Sequence, residues 1–314
     1  MATDTMDARC KSIHGERYCQ VFGNKDFFVE AIPIVKKSDC HQALDIFIRK
    51  YGIPDLMRHD GSKEQSGRDT KFQGTLRKYN ITSKKSLPDR SNQNPAEGVI
   101  RELRKKWFRT MFKVGCPRRL WNYGLPHVAK VMQHTASHAG TLNGRTPIEK
   151  LTGETPDISQ YLDFGFYDWV TYKHDAGLGE VKIGRFLGMS HEVGSLMSYW
   201  VLPVSGIPES RTSVQRLTIL EKGTEANIAR MQDFQEKINV RFKEDSEIIP
   251  QSHPSIDDWS EFKDDQDFME EFQRVFSSDD IQDEDDSFDP ESFDQYINME
   301  VALDREGEKH QKIA

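Results

Sequence analysis

The stretch from His59 to Glu97 opens with His59-Asp60-Gly61 and closes with Asn92-Gln93-Asn94-Pro95-Ala96-Glu97. The 36 residues between Asp60 and Glu97 are about what a strand end, a crossover helix, a further strand and a return loop require. An Asp at a strand end and a Glu on a following helix can therefore meet at one point. A third acid, Asp4, lies in Ala2-Thr3-Asp4-Thr5. Three carboxylates that meet in space form a site for two divalent cations.

The Glu97 end of this stretch also has a purely structural explanation. Asn94 is a suitable N-cap, Pro95 suits the first helical position, and Glu97 falls at the third position, as in a capping box. At the other end, Asp60 precedes Gly61, which frees the backbone to turn where a ligand approaches. Asp and Glu total 51 of 314 residues, so the spacing between two acids does not by itself choose between capping and metal binding.

The spacing of apolar residues predicts an α/β fold. Alternation and turn residues predict strands at residues 18–22, 27–34, 53–59 and 81–84, with a short strand leading into Asp4. Helical spacing predicts one helix that is capped by Ser38 and ends before Gly52, and another over residues 72–79. Three strands followed by alternating helices and strands predict a mixed five-stranded sheet with helices on its faces.

A long helix is predicted from Pro95 to about Lys113, with an apolar face that includes Trp107. Residues 101–119 contain eight Lys or Arg and a single acid, Glu102. A charged helix face is often only solvated. This one begins beside Glu97, which favours contacts with phosphate groups. The residues predicted to bind DNA are Arg101, Arg104, Lys105 and Arg109.

The rest of the chain divides into segments that differ in apolar spacing and composition. A helix is predicted over residues 121–138, and short strand-like runs between residues 167 and 218 predict a small β-barrel or meander. A polar helix is predicted over residues 224–243. The predicted domain boundaries are residues 1–155, a small β-rich module at 156–222, the polar helix within 223–249, and an acidic disordered tail at 250–314.

The net charge of −8 conceals a strong asymmetry. Residues 257–300 contain 18 Asp or Glu against Lys263 and Arg274, a net of −16, so residues 1–256 carry +8. The folded part is therefore basic and the tail is acidic. The four cysteines show no zinc-ligand spacing and are expected to be reduced thiols, and no secretion signal or membrane-spanning run is found, so an intracellular protein is expected.

Residues 1–220 resemble Copia-type retrotransposon integrases, members of the retroviral integrase superfamily with an RNase H-like fold. Thr3-Asp4-Thr5 matches the first-strand motif, Asp60-Gly61 the motif after the fourth strand, and Gln93-Asn94-Pro95-Ala96-Glu97 the motif that opens the long helix. Downstream, the segments that resemble the connection to the C-terminal region and its small β module are Asn143-Gly144-Arg145-Thr146-Pro147, Gly153-Glu154-Thr155-Pro156 and Gly184-Arg185-Phe186-Leu187-Gly188.

The resemblance implies that residues 1–155 are an integrase catalytic core. Asp4, Asp60 and Glu97 would be its catalytic acids and would bind two Mg²⁺ or Mn²⁺ ions. The implied reaction is metal-dependent phosphoryl transfer that joins element DNA ends to target DNA. The family role implies DNA and further copies of the chain as partners, and a nuclear location.

Only three residues stand before Asp4 in the sequence, and they do not include the family's His/Cys zinc-binding segment. The first strand is therefore expected to lack its upstream half. This leaves open an alternative from a different class, a catalytically inactive DNA-binding remnant of such an element. A nuclease of the same fold that acts on RNA–DNA hybrids is a third possibility.

Overall fold

The structure is a computed structural model of the chain. It describes residues 1–59, 61–85, 95–138, 142–173, 180–190 and 198–244, with the side chains of residues 95–97 and 243–244 excepted. Residues 1–249 form one compact unit. The predicted acidic tail begins at the next residue and lies outside the described residues.

The first sheet has five strands in the order β3-β2-β1-β4-β5. Strands β1, β2 and β3 form an antiparallel meander, and β4 and β5 run parallel to β1. This is the mixed sheet of an RNase H-like fold, as predicted. The strands are β1 (Ala2–Asp7), β2 (Tyr18–Gly23), β3 (Val29–Ile34), β4 (Leu56–His59) and β5 (Thr82–Lys85).

Helices cover both faces of this sheet. They are α1 (Cys40–Tyr51), α2 (Lys63–Ser66), α3 (Lys71–Lys78), α4 (Pro95–Lys113), α5 (Trp121–His134) and α6 (Pro147–Thr152). One hydrophobic cluster joins the sheet to α1 and α3, and another joins its opposite face to α4 and α5. This two-layered burial follows from the period-two alternation of apolar side chains along the strands.

The first strand is fully integrated into the sheet. All six residues of β1 pair with β2, from Ala2 with Gly23 to Asp7 with Tyr18. The Met1 amino group donates to the Leu56 carbonyl oxygen at 3.0 Å. Strand β1 therefore pairs on both sides, with β2 along its whole length and with β4 at Ala2 and Thr3.

The predicted cap of the first helix was wrong. Ser38 lies inside a short 3₁₀ helix, Lys37–Asp39, which runs directly into α1 at Cys40. The Asp39 carboxylate accepts from the Lys36 backbone N–H at 3.0 Å, so Asp39 provides the local side-chain bond at this helix entry. Ser and Asp are both good capping residues, and the sequence does not say which of two adjacent candidates is used.

Helices α4 and α5 pack closely because Gly124 faces the contact. A Cβ atom at Gly124 would lie 2.5 Å from the Met111 Sδ and 3.2 Å from the Phe166 Cζ. Helix α5 ends at His134, four residues earlier than predicted. Trp107 on α4 is 3% exposed, which confirms that it belongs to the core.

The second sheet contains β6 (Trp169–Lys173), β7 (Val181–Met189), β8 (Tyr199–Leu202), β9 (Glu209–Arg211) and β10 (Val214–Arg216), in the order β10-β6-β7-β8-β9. The two edge strands are joined by only residues 212 and 213. Three peptide steps span at most about 11 Å, whereas the edges of a flat five-stranded sheet lie about 19 Å apart. The sheet must therefore curl strongly, which agrees with the predicted β-barrel or meander.

The chain then forms α7 (Ile219–Lys222) and α8 (Glu225–Glu244). The predicted polar helix is amphipathic, because Phe234, Ile238 and Phe242 repeat at four-residue spacing and are buried. They belong to the same hydrophobic cluster as Leu187 of the second sheet and Trp121 of α5. The core thus continues across residue 155, and the division into separate domains there stays a prediction.

Candidate metal and nucleic-acid site

Asp4 occupies the third position of β1, in the centre of the first sheet. Its neighbours on the same face of the strand, Ala2 and Met6, are buried in the cluster that contains α4. Asp4 is half-buried, and its Oδ1 accepts from the Thr5 backbone N–H at 2.7 Å. The carboxylate therefore lies on the sheet face that α4 covers.

Strand β4 lies beside β1 and runs parallel to it. Thr3 pairs with His59, the last residue of β4. The residue after Thr3 is Asp4 and the residue after His59 is Asp60. Asp60 itself lies outside the described residues, so its distance from Asp4 is not given by the structure.

Helix α4 begins at Pro95, which puts Glu97 in its first turn. The next turns contribute Val99, Ile100 and Leu103 to the core beneath the helix. Val99 lies against Gly23 of β2, the residue paired with Ala2. The N-terminal half of α4 thus crosses β1 and β2 on the Asp4 side. The Glu97 side chain and Asn94 lie outside the described part, so the capping interpretation also stays a prediction.

The described residues contain no group of three His, Cys, Asp or Glu side chains that could hold a metal ion. Two of the three predicted ligands are not among them, since Asp60 and the Glu97 side chain are excluded. The donor set fits hard divalent cations, because carboxylate oxygens are the ligands that Mg²⁺ and Mn²⁺ prefer. Asp4 is in place on the face of the sheet where such a site would have to form.

Lys85 is a functional candidate that sequence reasoning missed. It ends β5, and a Cβ atom added at Gly61 would lie 2.7 Å from its Cε and 3.2 Å from its Nζ. Gly61 therefore leaves space for this ammonium group one residue after Asp60. The signal in the sequence was Lys84-Lys85 at the end of a strand, which has no distinguishing pattern without the sheet order.

The predicted DNA-binding residues lie along α4. Arg101 and Arg109 are exposed, and Arg104 and Lys105 are half-buried. These four residues form a basic stripe on α4, and the neighbouring Glu102 forms an ion pair with Lys106 at 3.4 Å. The helix therefore presents cations on a surface that starts in the same turns as Glu97.

A buried ladder of polar side chains holds β1, β4 and the α2–α3 segment together. Gln20 Nε2 donates to Thr3 Oγ1 at 2.5 Å, and Thr5 Oγ1 donates to Gln20 Oε1 at 2.7 Å. Gln65 Nε2 donates to Thr5 Oγ1 at 3.1 Å. These bonds lie on the face opposite Asp4 and fix the strand that carries it, because buried polar groups are costly unless paired.

His59 closes this ladder at the end of β4. It is 2% exposed, with Nε2 at 2.9 Å from Ser83 Oγ and 3.2 Å from Gln73 Nε2. Its ring packs edge-on against Phe72. The histidine is therefore a strand-end residue in the polar ladder, and it fixes the backbone immediately before Asp60.

No family model and no curated protein sequence matches the chain. Among solved structures, the chain is similar to a simian T-cell lymphotropic virus intasome in complex with the PP2A regulatory subunit B56 gamma. That match has 13% identity and a TM-score of 0.36, and covers 69% of this chain and 80% of the other. It is also similar to the catalytic core domain of BIV integrase, at 15% identity and a TM-score of 0.36, over 48% of this chain and 92% of the other.

Both neighbours are thus retroviral integrase structures. Likenesses at these TM-scores carry no argument about this chain's activity, and the fold assignment rests on the strand order and register. The four cysteines are free thiols. Within the described ranges, no helix is both long and apolar enough to cross a membrane.

Proposed function

We propose that the chain is an integrase-type DNA strand transferase core of a Copia-type retrotransposon. The observation that carries the proposal is the parallel pair Thr3–His59, because the next residue in the sequence after each of them is an aspartate of the motif. Helix α4, with Glu97 in its first turn, crosses the same face of the sheet. The strand order and the motif residues together support the proposal.

In this proposal Asp4, Asp60 and Glu97 hold two Mg²⁺ or Mn²⁺ ions. Such ions supply activation of the attacking oxygen and stabilisation of the leaving oxygen in an in-line displacement at phosphorus. The reaction first uses water to trim an element end, and then uses the 3′-hydroxyl of that end to attack target DNA. The protein's own contribution is rigid placement of the acids, which the polar ladder behind β1 and β4 supports.

The basic surface would position the DNA. Arg101, Arg104, Lys105 and Arg109 would contact phosphates along α4, and Lys85 would add a cation beside Gly61. Phosphate contacts fix orientation without reading sequence. The same role would place the protein in the nucleus, acting as a homo-oligomer on element ends and target DNA.

The proposal is tested by strand transfer with oligonucleotides of the element ends, in Mg²⁺ or Mn²⁺. Asp60→Asn and Glu97→Gln should each reduce product by at least about 100-fold, because they remove metal-binding charge. Matched controls are Asp7→Asn, at the far end of β1, and Glu102→Gln, one turn further along α4. Equal activity in the acid variants and the controls would refute the catalytic assignment.

The alternative of an inactive DNA-binding remnant draws on the basic stripe alone. It predicts salt-sensitive DNA binding by the wild-type protein with no product in either metal. A preference for cleaving an RNA–DNA hybrid would instead favour the nuclease of the same fold. The same protein preparation, assayed for binding, transfer and hybrid cleavage, separates the three.

A further inference from the structure

A cleft of about 530 Å³ lies away from Asp4, on the outer side of β3. One wall is formed by β3, α1 and α5, and the other by residues 187–189 of β7, the following Ser190 and Trp200 of β8. Binding pockets for small organic molecules fall in the range of about 300–1,000 Å³. The cleft therefore has room for a ligand of the size of a single nucleotide.

One end of the cleft has a charged floor. The Glu30 side chain is only 5% exposed, and its two carboxylate oxygens lie 2.9 Å from the Lys50 Nζ and 2.8 Å from the Lys130 Nζ. Tyr51 and Gln133 also donate to this carboxylate, at 2.9 and 2.7 Å. The lysine side chains are 34% and 22% exposed. The cations thus form the accessible layer, and the carboxylate lies beneath them.

The charges at this end sum to an excess of one positive charge near neutral pH. Burial alone would raise the pKa of Glu30, but Lys130 and Lys50 outweigh it and lower that pKa to about 2. Burial lowers the pKa of Lys130 to about 8, against the opposing effect of Glu30, so the ammonium form still predominates at pH 7. Burial lowers the pKa of His127 to about 4, so this cleft residue is neutral. An anionic group is favoured at the lysine end.

The other end of the cleft is aromatic. The Tyr123 and Trp200 rings meet edge to face, with centroids 5.7 Å apart, and both line the cavity. Planar aromatic walls suit a planar ring, and stacking on such side chains contributes about 1–3 kcal/mol per nucleic-acid base. This end therefore favours a flat, partly apolar group.

Asn122, at the aromatic end, has a side-chain acceptor without a hydrogen-bond donor. Its Oδ1 atom is buried and has no hydrogen-bond partner among the described residues. The Oδ1 atom itself has almost no exposed surface, but the Asn122 side chain as a whole is half-buried and lines the cleft, so a small rotation would bring its amide oxygen to a ligand N–H. Asn122 and Lys130 lie two turns apart on α5, about 12 Å along the helix axis. A molecule with an N–H edge and a distant anionic group would satisfy both ends.

We propose that this cleft binds a single nucleotide unit, with its phosphate at Lys50 and Lys130 and its base between the aromatic wall and Asn122. The unit is either a free nucleotide or the terminal nucleotide of a single strand, since both present the same chemistry. The inference does not rest on the proposed integrase function, because none of these residues belongs to the predicted acidic site.

The test is isothermal titration calorimetry with thymidine 5′-monophosphate, whose base carries an N–H donor. Thymidine and inorganic phosphate serve as ligand controls, and a 5′-phosphorylated ten-residue oligothymidylate tests the strand end. Asn122→Leu should weaken binding about tenfold without lowering Tm, because it removes a buried, unpaired acceptor. Lys50→Met should weaken it by a similar factor while Glu30 keeps Lys130, Tyr51 and Gln133.

Matched control variants are Asn227→Leu on α8 and Lys78→Met on α3, which lie outside the cleft. Tight binding of the mononucleotide that is lost in the cleft variants and kept in the controls supports a free-nucleotide site. Loss of affinity for the oligonucleotide alone supports capture of a strand end. Equal affinities of cleft and control variants for both ligands, or no saturable binding of either at millimolar concentration, would overturn the proposal.

Discussion

Thr3 and His59 are paired in parallel register across β1 and β4, and both are buried. Their side chains share the face of the sheet that carries the polar ladder, so Asp4 projects from the other face. Consecutive residues of β1 thus serve different faces of the sheet. Thr3 belongs to the structural polar ladder, and Asp4 belongs to the candidate catalytic face.

Asp4→Asn should raise the stability of the metal-free protein and abolish its stabilisation by Mn²⁺. In the proposed site three carboxylates would repel one another without a cation, so removing one charge should stabilise the protein by about 0.5–1 kcal/mol. A bound ion stabilises the folded state by RT ln(1 + [L]/Kd), where [L] is the concentration of the free ion. Thermal unfolding with and without Mn²⁺ measures both effects. The control for removal of one charge is Asp7→Asn. If Mn²⁺ raises the Tm of wild type and of Asp4→Asn alike, Asp4 is not a ligand.

Arg101→Ala and Arg109→Ala should each weaken binding to duplex DNA at low salt. Each phosphate contact contributes about 0.9 to the slope of log affinity against log salt concentration, so each variant should flatten that slope by about one. Fluorescence anisotropy across a salt series gives the slopes. Lys237→Ala on α8, where the lysine pairs with Asp233, should leave the slope unchanged. An undiminished slope in both arginine variants would exclude the stripe as a DNA contact.

Gly184→Ala should destabilise the protein by about 1–3 kcal/mol, because overpacking forces the surroundings to shift. A Cβ atom there would lie 2.7 Å from the Val201 Cγ1 and 2.8 Å from the Leu202 carbonyl oxygen, which belongs to the backbone of β8. Gly74→Ala in α3 is the matched control, since its Cβ atom meets no described atom within 4 Å. It should stabilise the helix by about 0.5–1 kcal/mol. Urea unfolding curves report both, and a harmless Gly184→Ala would contradict the tight β7–β8 contact.

The free energy of unfolding should fall as the pH drops from 7 to 5, in part because of His127. Its ring lies near Phe166 and Phe186, and burial lowers its pKa from 6.5 to about 4. The unfolded state therefore binds the proton first, and stability is lost as pH falls from about 6.5 towards 4. The contribution between pH 7 and 5 is about 2 kcal/mol. His127→Gln should remove this part of the pH dependence in urea unfolding; an unchanged dependence would place the cause elsewhere.

The central sheet and the long helix were predictable because their signals are local. Alternation defined the strands, and Pro95 fixed the start of α4 at the residue where the structure begins it. The strand ends were predicted less accurately, since β4 begins at Leu56 rather than at Ile53. Pro54 has no backbone N–H to donate to a neighbouring strand, and the apolar pattern alone does not show where the strand pairing begins.

The features that the sequence did not reveal depend on contacts between distant segments. Glu30 meets Lys130 only because α5 packs beside β3, 100 residues later in the chain. The approach of Lys85 to Gly61 likewise depends on β5 being the neighbour of β4. The amphipathic face of α8 was missed because three buried residues in a largely charged helix are a weak periodic signal.

The last strand of the first sheet has a consequence for assembly. All four residues of β5 are exposed, and it ends in Lys84 and Lys85 at the outer edge of the sheet. Two copies of the chain approaching edge to edge would bring these ammonium groups against their counterparts, so this edge resists continuous pairing between molecules. A polyanion is not repelled by these ammonium groups. The edge discriminates by charge between another copy of the chain and a nucleic acid.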